Sequence, residues 1–348
     1  MKAARIYGIK DVRIEDIQEP DVQSGQVKIE VAWTGICGSD LHAYFHGIGI
    51  STEPHPVSGR SVPLTLGHEF SGVVTEVATD VTKFAKGDRV VVEPLIFSED
   101  DYFVKQGKYN LANDAGFIGL NDDGGFAEYA VVDETKVHKL PDNVSLEEGA
   151  LIEPTAVAFQ SVKASNFKAG SSAIVFGAGP IGLLTIISLK AAGATSILAV
   201  DISNERLEKA KEVGATLTIN SMDESVEEKV ASLFEHGIDF AFEAAGVQAT
   251  FTSAMNVLKK GGQLMILSIF AQPVEMSAMD LVVREINISG FLGYRHIFPE
   301  VIDMVAAGQM DVKKVITKKI ALDNLVEDGI ELLGSDKSQA KILVSSKA

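Results

Sequence analysis

Residues 174–182 read Ile174-Val175-Phe176-Gly177-Ala178-Gly179-Pro180-Ile181-Gly182, an apolar strand running into G-x-G-x-x-G and then an apolar helix. In such a turn Gly177 permits the tight bend, Gly179 lets backbone approach a pyrophosphate, and Gly182 allows helix to pack on strand. Pro180 and Ile181 open the helix, whose free N–H groups and positive dipole end face the phosphates. The glycines alone mean little in a chain with 31 of them. Context gives them weight. The next apolar run ends in Asp201, nineteen residues after Gly182, where a carboxylate holds ribose hydroxyls and repels a 2′-phosphate. NAD is therefore expected over NADP. Arg206 either flanks the adenine or pairs with Glu205 or Glu208 on its own helix.

Around this turn the chain alternates short apolar strands with helices. Strands are expected at 173–176, 196–200, 216–219, 238–242, 263–267 and 286–291, with a helix over 204–213 capped by Ser203 and stopped by Gly214. That alternation predicts an α/β fold with a doubly wound parallel sheet over residues 151–290. Residues 1–150 have a different rhythm. Strand-like runs at 26–31, 70–77 and 89–92, the turn Lys86-Gly87-Asp88 and a Gly/Pro-rich loop over 47–67 indicate a β-rich, barrel-like domain. The segment 291–348 is mixed, and its last strand, 340–344, is expected to return to that first domain.

Composition removes other classes. The formal net charge is −17, from 31 Lys and Arg against 48 Asp and Glu, with no basic cluster, so a polyanion is repelled and nucleic-acid binding is not expected. Residues 169–189 carry no charge until Lys190, but Gly177-Ala178-Gly179-Pro180 splits their apolar part into pieces too short to span a bilayer. No membrane partner is expected. The charged N-terminus lacks a signal-peptide core, and the single cysteine excludes an intrachain disulfide. A reducing, cytoplasmic setting is the expectation.

That cysteine, Cys37, lies in Thr34-Gly35-Ile36-Cys37-Gly38-Ser39-Asp40-Leu41-His42. A lone cysteine is often just a small buried hydrophobe. Two further places offer donors: His68 and Glu69 within Leu66-Gly67-His68-Glu69-Phe70, and Glu153, the only charge between Glu148 and Lys163. A carboxylate in apolar surroundings is costly unless paired or bound to a metal, although Glu153 also suits the acidic start of a helix. Thiolate, imidazole and carboxylate together suit zinc with a fourth position left open.

The runs GICGSDLH, GHEFSGVV, KGDRVVVEP, GGFAEY, IEPTAVA, VFGAGPIGLL and AVDIS resemble the zinc-dependent medium-chain alcohol dehydrogenase/reductase family through nearly the whole chain. HPVSGRSVPLTLGHEFSG and ISGFLGYRHIFPEVI are similar to its branch acting on 2,3-butanediol. The resemblance implies a GroES-like catalytic domain (1–150, completed by 291–348) and a Rossmann NAD domain. It also implies catalytic zinc at Cys37, His68 and Glu153, with Glu69 as a further ligand or a support to one. Ser39 and His42 match the family's proton relay. The implied reaction is NAD-linked exchange between a vicinal diol and its hydroxyketone, as in 2,3-butanediol and acetoin. A sorbitol-type polyol or threonine dehydrogenase is the alternative, and a non-catalytic nucleotide-sensing protein is a reading of another class.

One departure is plain. The family's four structural-zinc cysteines correspond here to Ser98, Asp101, Val104 and Ala112, so one zinc per chain is expected and the lobe over 97–115 must be held by packing or subunit contacts. The run Glu99-Asp100-Asp101 reads as a solvated turn. His46 and His55 either border the substrate or lie on a loop surface, while His138, His236 and His296 lack a second ligand nearby. A homodimer or homotetramer is expected, with an edge strand over 286–291 pairing across a two-fold axis.

Overall fold

Alternating apolar residues make Gln26–Gly35 a strand with a buried face, and it is the hub of a seven-stranded sheet. Antiparallel partners Glu69–Val77, Tyr129–Asp133 and Lys341–Ser345 all pair with it. Arg89–Val92 and Val137–Lys139 extend the sheet beyond Glu69–Val77, and Ile316–Ala321 extends it beyond Lys341–Ser345. Val27, Ile29, Val31, Phe70, Val74, Val90 and Val92 form one core. Ile6, Ile36, Leu64, Phe126, Ile320, Ile342 and Val344 belong to a second. The computed structural model describes residues 1–347. These strands belong to a unit made of Met1–Glu153, Arg295–Ala307 and the stretch from Ile316 onward.

The other unit comprises Pro154–Tyr294 and Gly308–Val315. Its six strands are all parallel. Across the sheet they run Leu217–Asn220, Ser196–Asp201, Ser172–Phe176, Ile238–Glu243, Leu258–Ile266 and Asn287–Gly290. The central strand Ser172–Phe176 is buried throughout, as expected of a sheet covered on both faces. Strand order reverses beside it, which in open α/β sheets marks the ligand crevice. The helix Asn204–Val213 begins where Ser203 Oγ accepts the Arg206 N–H and ends at Gly214.

Two features past residue 291 differ from expectation. Gly308–Val315 lies in the second unit, where the turn Val312–Val315 packs against the helices Pro180–Ala191 and Asn204–Val213. Ile316–Ala321 is a strand that the paired lysines of I-T-K-K-I-A disguise, because they interrupt apolar alternation at a sheet edge. Among the described residues no helix is long and apolar enough to cross a membrane. The uncharged run over 169–189 instead divides into the strand Ser172–Phe176 and the helix Pro180–Ala191.

Candidate metal centre and dinucleotide turn

Sheet register builds the candidate metal centre. Gly35 ends its strand directly opposite Glu69, the first residue of the partner strand, so Cys37 and His68 follow and precede the same rung. A Cβ on Gly35 would stand 2.2 Å from Glu69 Oε2. Glycine there makes room for the carboxylate. Ligand atoms of Cys37, His68 and Glu69 consequently lie within 4.8 Å of one another. Glu153 stands outside that cluster, buried in the first turn of the helix Ile152–Ala164, and its charge acts on both His68 and Lys341.

Lys341 escapes the sequence reading entirely. Its ammonium donates to both Glu69 oxygens, at 2.7 and 2.8 Å, and to the Ile36 carbonyl at 3.0 Å. Lysine and glutamate are both buried. Burial lowers the lysine's pKa, yet Glu69, with Cys37 and Glu153, holds it above the ordinary value. The signal in the sequence is faint: one cation inside Ala340-Lys341-Ile342-Leu343-Val344.

Asp40 is the second omission. Its Oδ2 accepts the Cys37 N–H at 2.9 Å, while Oδ1 lies 3.7 Å from His68 Nδ1. Those last two atoms are buried without a hydrogen bond. Burial pushes the Asp40 carboxyl up. For His68 burial pulls down, but the Asp40 charge, with Cys37 and Glu153, holds the imidazole well above its ordinary value. The other ring nitrogen, Nε2, is 3.1 Å from Ser39 Oγ. His42 lies exposed further along the helix Gly38–His46. A cluster of thiol, imidazole and carboxylate, with buried polar atoms still lacking partners, is a donor set that fits zinc.

In the second unit the glycine turn is closed by its own backbone. Gly177 has φ +93°, and a Cβ on Gly182 would sit 1.8 Å from the Gly177 carbonyl oxygen. Before Gly179 there is space: a Cβ would meet nothing nearer than Arg206 Nη1 at 3.9 Å. Gly179 caps the helix Pro180–Ala191, with Pro180 at its first position and Ile181 next. Asp201 is buried, its Oδ2 accepting the Ala178 N–H at 2.7 Å and lying 3.9 Å from Arg206 Nη1. Glu243 belongs here too and was missed. Fully buried, it accepts from the Ala245 and Gly246 N–H groups and from the Thr250 and Ser268 hydroxyls. It thereby fixes the turn that a Cβ on Gly177 would strike.

The lobe over 97–115 corrects one expectation. Asp101 is no merely solvated acid: Oδ1 accepts from the Phe103 and Val104 N–H groups, and Oδ2 from the backbone and side chain of Asn113. Phe97 stacks on Tyr109 at 5.1 Å, with the Lys136 ammonium 3.7 Å from the Phe97 ring centre. His138 and His296 also have structural partners. His138 bonds Glu93 at 2.8 Å and stacks on Phe298, while the His296 ring meets Tyr109 edge-on at 4.9 Å. Beneath Gly116, His55 Nδ1 accepts the Val57 N–H. His236 is exposed.

Residues 23–142 match the alcohol dehydrogenase GroES-like domain, and residues 180–307 match the zinc-binding dehydrogenase family. The chain is 48% identical to (R,R)-butanediol dehydrogenase of Bacillus subtilis over 347 residues, covering 99% of each. Sorbitol dehydrogenase of the same organism is 34% identical, over 95% of this chain and 93% of that one. The crystal structure of 2R,3R-butanediol dehydrogenase from Bacillus subtilis superposes with a TM-score of 0.94 at 47% identity, covering 99% of both chains.

Proposed function

The chain belongs to the zinc-binding dehydrogenase family, and from that premise we propose that it interconverts a vicinal diol and its hydroxyketone, with NAD as hydride carrier. The pair 2,3-butanediol and acetoin is the reference substrate. The observation that carries this reading is the thiol–imidazole–carboxylate cluster of Cys37, His68 and Glu69. The butanediol reading is preferred to the sorbitol-type one because identity falls from 48% to 34% between the respective relatives.

Oxidising a secondary alcohol removes hydride from carbon and a proton from oxygen. Bound zinc would supply Lewis acidity toward that oxygen, and bound nicotinamide would accept the hydride. Cys37 and His68 would hold the metal, joined by a carboxylate from Glu69 or Glu153. Lys341 fixes Glu69 and neutralises it, while Asp40 faces the far side of the His68 ring and orients it. Ser39 Oγ takes up the substrate proton as it gives up its own, and His42 hands that released proton to solvent. In the nucleotide unit Gly177, Gly179 and Gly182 shape the pyrophosphate cradle, with Pro180 and Ile181 opening the helix above it. Asp201 binds the ribose, and Arg206 flanks it. One zinc per chain is proposed, since none of Ser98, Asp101, Val104 and Ala112 supplies a thiolate.

The protein is further proposed to be a cytoplasmic homo-oligomer. The edge strand Asn287–Gly290 and exposed Met279, Val282, Val283 and Leu292 support pairing between copies. Light scattering that returned a monomer would remove that part. The test of activity is NADH formation from (R,R)- and meso-2,3-butanediol beside sorbitol, with and without a zinc chelator. Chelator-sensitive turnover of a butanediol is expected, and turnover of sorbitol alone would overturn the substrate. Zinc content of Glu69→Gln and Glu153→Gln separates the two carboxylates, because only loss of a true ligand empties the site. Replacing Asp201 by Ser is expected to shift preference toward NADP by roughly tenfold or more, the scale of one lost charge contact.

A further inference from the structure

The helix Gly38–His46 carries two histidines four residues apart, His42 and His46, both exposed. Side chains at i and i+4 share one helix face. Here the two rings lie 6.2 Å apart between centroids and are tilted by 35°, so a modest rotation points one nitrogen of each at a common atom. This is the spacing by which helical His pairs hold zinc. The helix is anchored at both ends: Cys37 caps its start, and Gly47 in the left-handed conformation closes its end with its N–H on the Ala43 and His42 carbonyls. Binding would therefore order two side chains and little else. A pair of imidazoles suits borderline divalent cations such as Zn²⁺ and Ni²⁺ and not Mg²⁺, which prefers oxygen.

We infer that His42 and His46 form a second, exchangeable site for a borderline divalent cation, and that filling it slows turnover by occupying His42. The metal-binding half stands on the helix geometry alone. The inhibitory half rests on the proposed relay role of His42. Two protein ligands, with water completing the shell, make this site weaker than the buried cluster, so it fills only when free metal is in excess.

The test uses the enzyme with its own zinc in place. Equilibrium dialysis against excess Zn²⁺ should add one metal ion per chain to the wild type and none to His46→Asn or His42→Gln. Turnover of the wild type should fall as Zn²⁺ or Ni²⁺ is added, while Mg²⁺ at equal ionic strength does nothing. His46→Asn should retain full basal turnover and need roughly tenfold more metal or beyond for half-inhibition, since even indirect supports change metal affinity by 10–100-fold. Equal uptake by wild type and both variants would overturn the site. Uptake that depends on His46 but leaves turnover unchanged would uphold the site and overturn the relay role of His42.

Discussion

Two parts of the same unit handle acidic side chains in opposite ways. Around Cys37 the carboxylates are buried, and they are balanced at long range by a lysine and a histidine. In the lobe over 97–115 the Asp101 carboxylate spends its oxygens on three backbone N–H groups and the Asn113 side-chain amide, all within twelve residues. The first arrangement leaves His68 Nδ1 and Asp40 Oδ1 without hydrogen bonds, and it keeps a thiol and an imidazole clustered. The second closes on itself. Where the family's four thiolates would grip a zinc, one aspartate and an aromatic stack do the holding. The cluster is thus held by charge pairs that reach far along the chain, and the lobe by donors its own loop supplies.

Removing a donor from each part should have opposite consequences. Cys37→Ala should empty the metal centre and cut turnover by more than roughly 100-fold, beyond what residues that merely support a ligand cost. Metal analysis of the purified variant checks it; a zinc content unchanged from wild type would place the metal elsewhere. Next in size is Lys341→Met, which leaves Glu69 buried and uncompensated. A loss of about 3–5 kcal/mol is expected, much of it recovered in the double variant with Glu69→Gln. Urea unfolding measures both, and a cost below about 1 kcal/mol would mean the pair is not buried as described.

Asp101→Ala should act only locally. Faster proteolytic cleavage within 97–115 is expected, with zinc content and turnover preserved. A fall in zinc content would show that the lobe and the Cys37 cluster are coupled. The smallest effect concerns pH. Burial would raise the Glu93 carboxyl, but hydrogen bonds from His138 and Tyr109 outweigh it and hold the group below its ordinary value of 4.5. The folded state thus keeps Glu93 ionised where the unfolded chain has bound a proton. Its contribution is present above about pH 4.5 and is lost as pH falls through the depressed value. Thermal melts of Glu93→Gln across pH 3–6 should show a flatter acid limb than wild type.

How far the sequence disclosed these sites follows from the range of the contacts. The geometry of the glycine turn was legible because Gly177, Gly182 and Asp201 act through neighbouring strands and one turn, so spacing encodes it. Cys37, His68 and Glu69 were legible as chemistry, whereas their convergence is a property of sheet register. Lys341 was not legible, for its partner lies 272 positions away and a strand lysine more often faces water. Asp40 sat in plain view within GICGSDLH, yet only the fold turns it toward His68. Asp101 was misread because an acidic triplet looks the same whether it caps a loop or merely dissolves.

The distance between Glu69 and Lys341 also sets a schedule. A ribosome delivers Glu69 long before Lys341, and the strand Lys341–Ser345 must then insert beside Gln26–Gly35 to bring the ammonium in. Until that happens, closing the sheet over Glu69 would seal in an uncompensated charge. The catalytic unit is therefore expected to mature after the nucleotide unit, whose six strands all precede Lys341 in the chain. Any chain cut short of Lys341 should display a folded nucleotide unit beside an open catalytic one, a form that quality-control proteases can recognise.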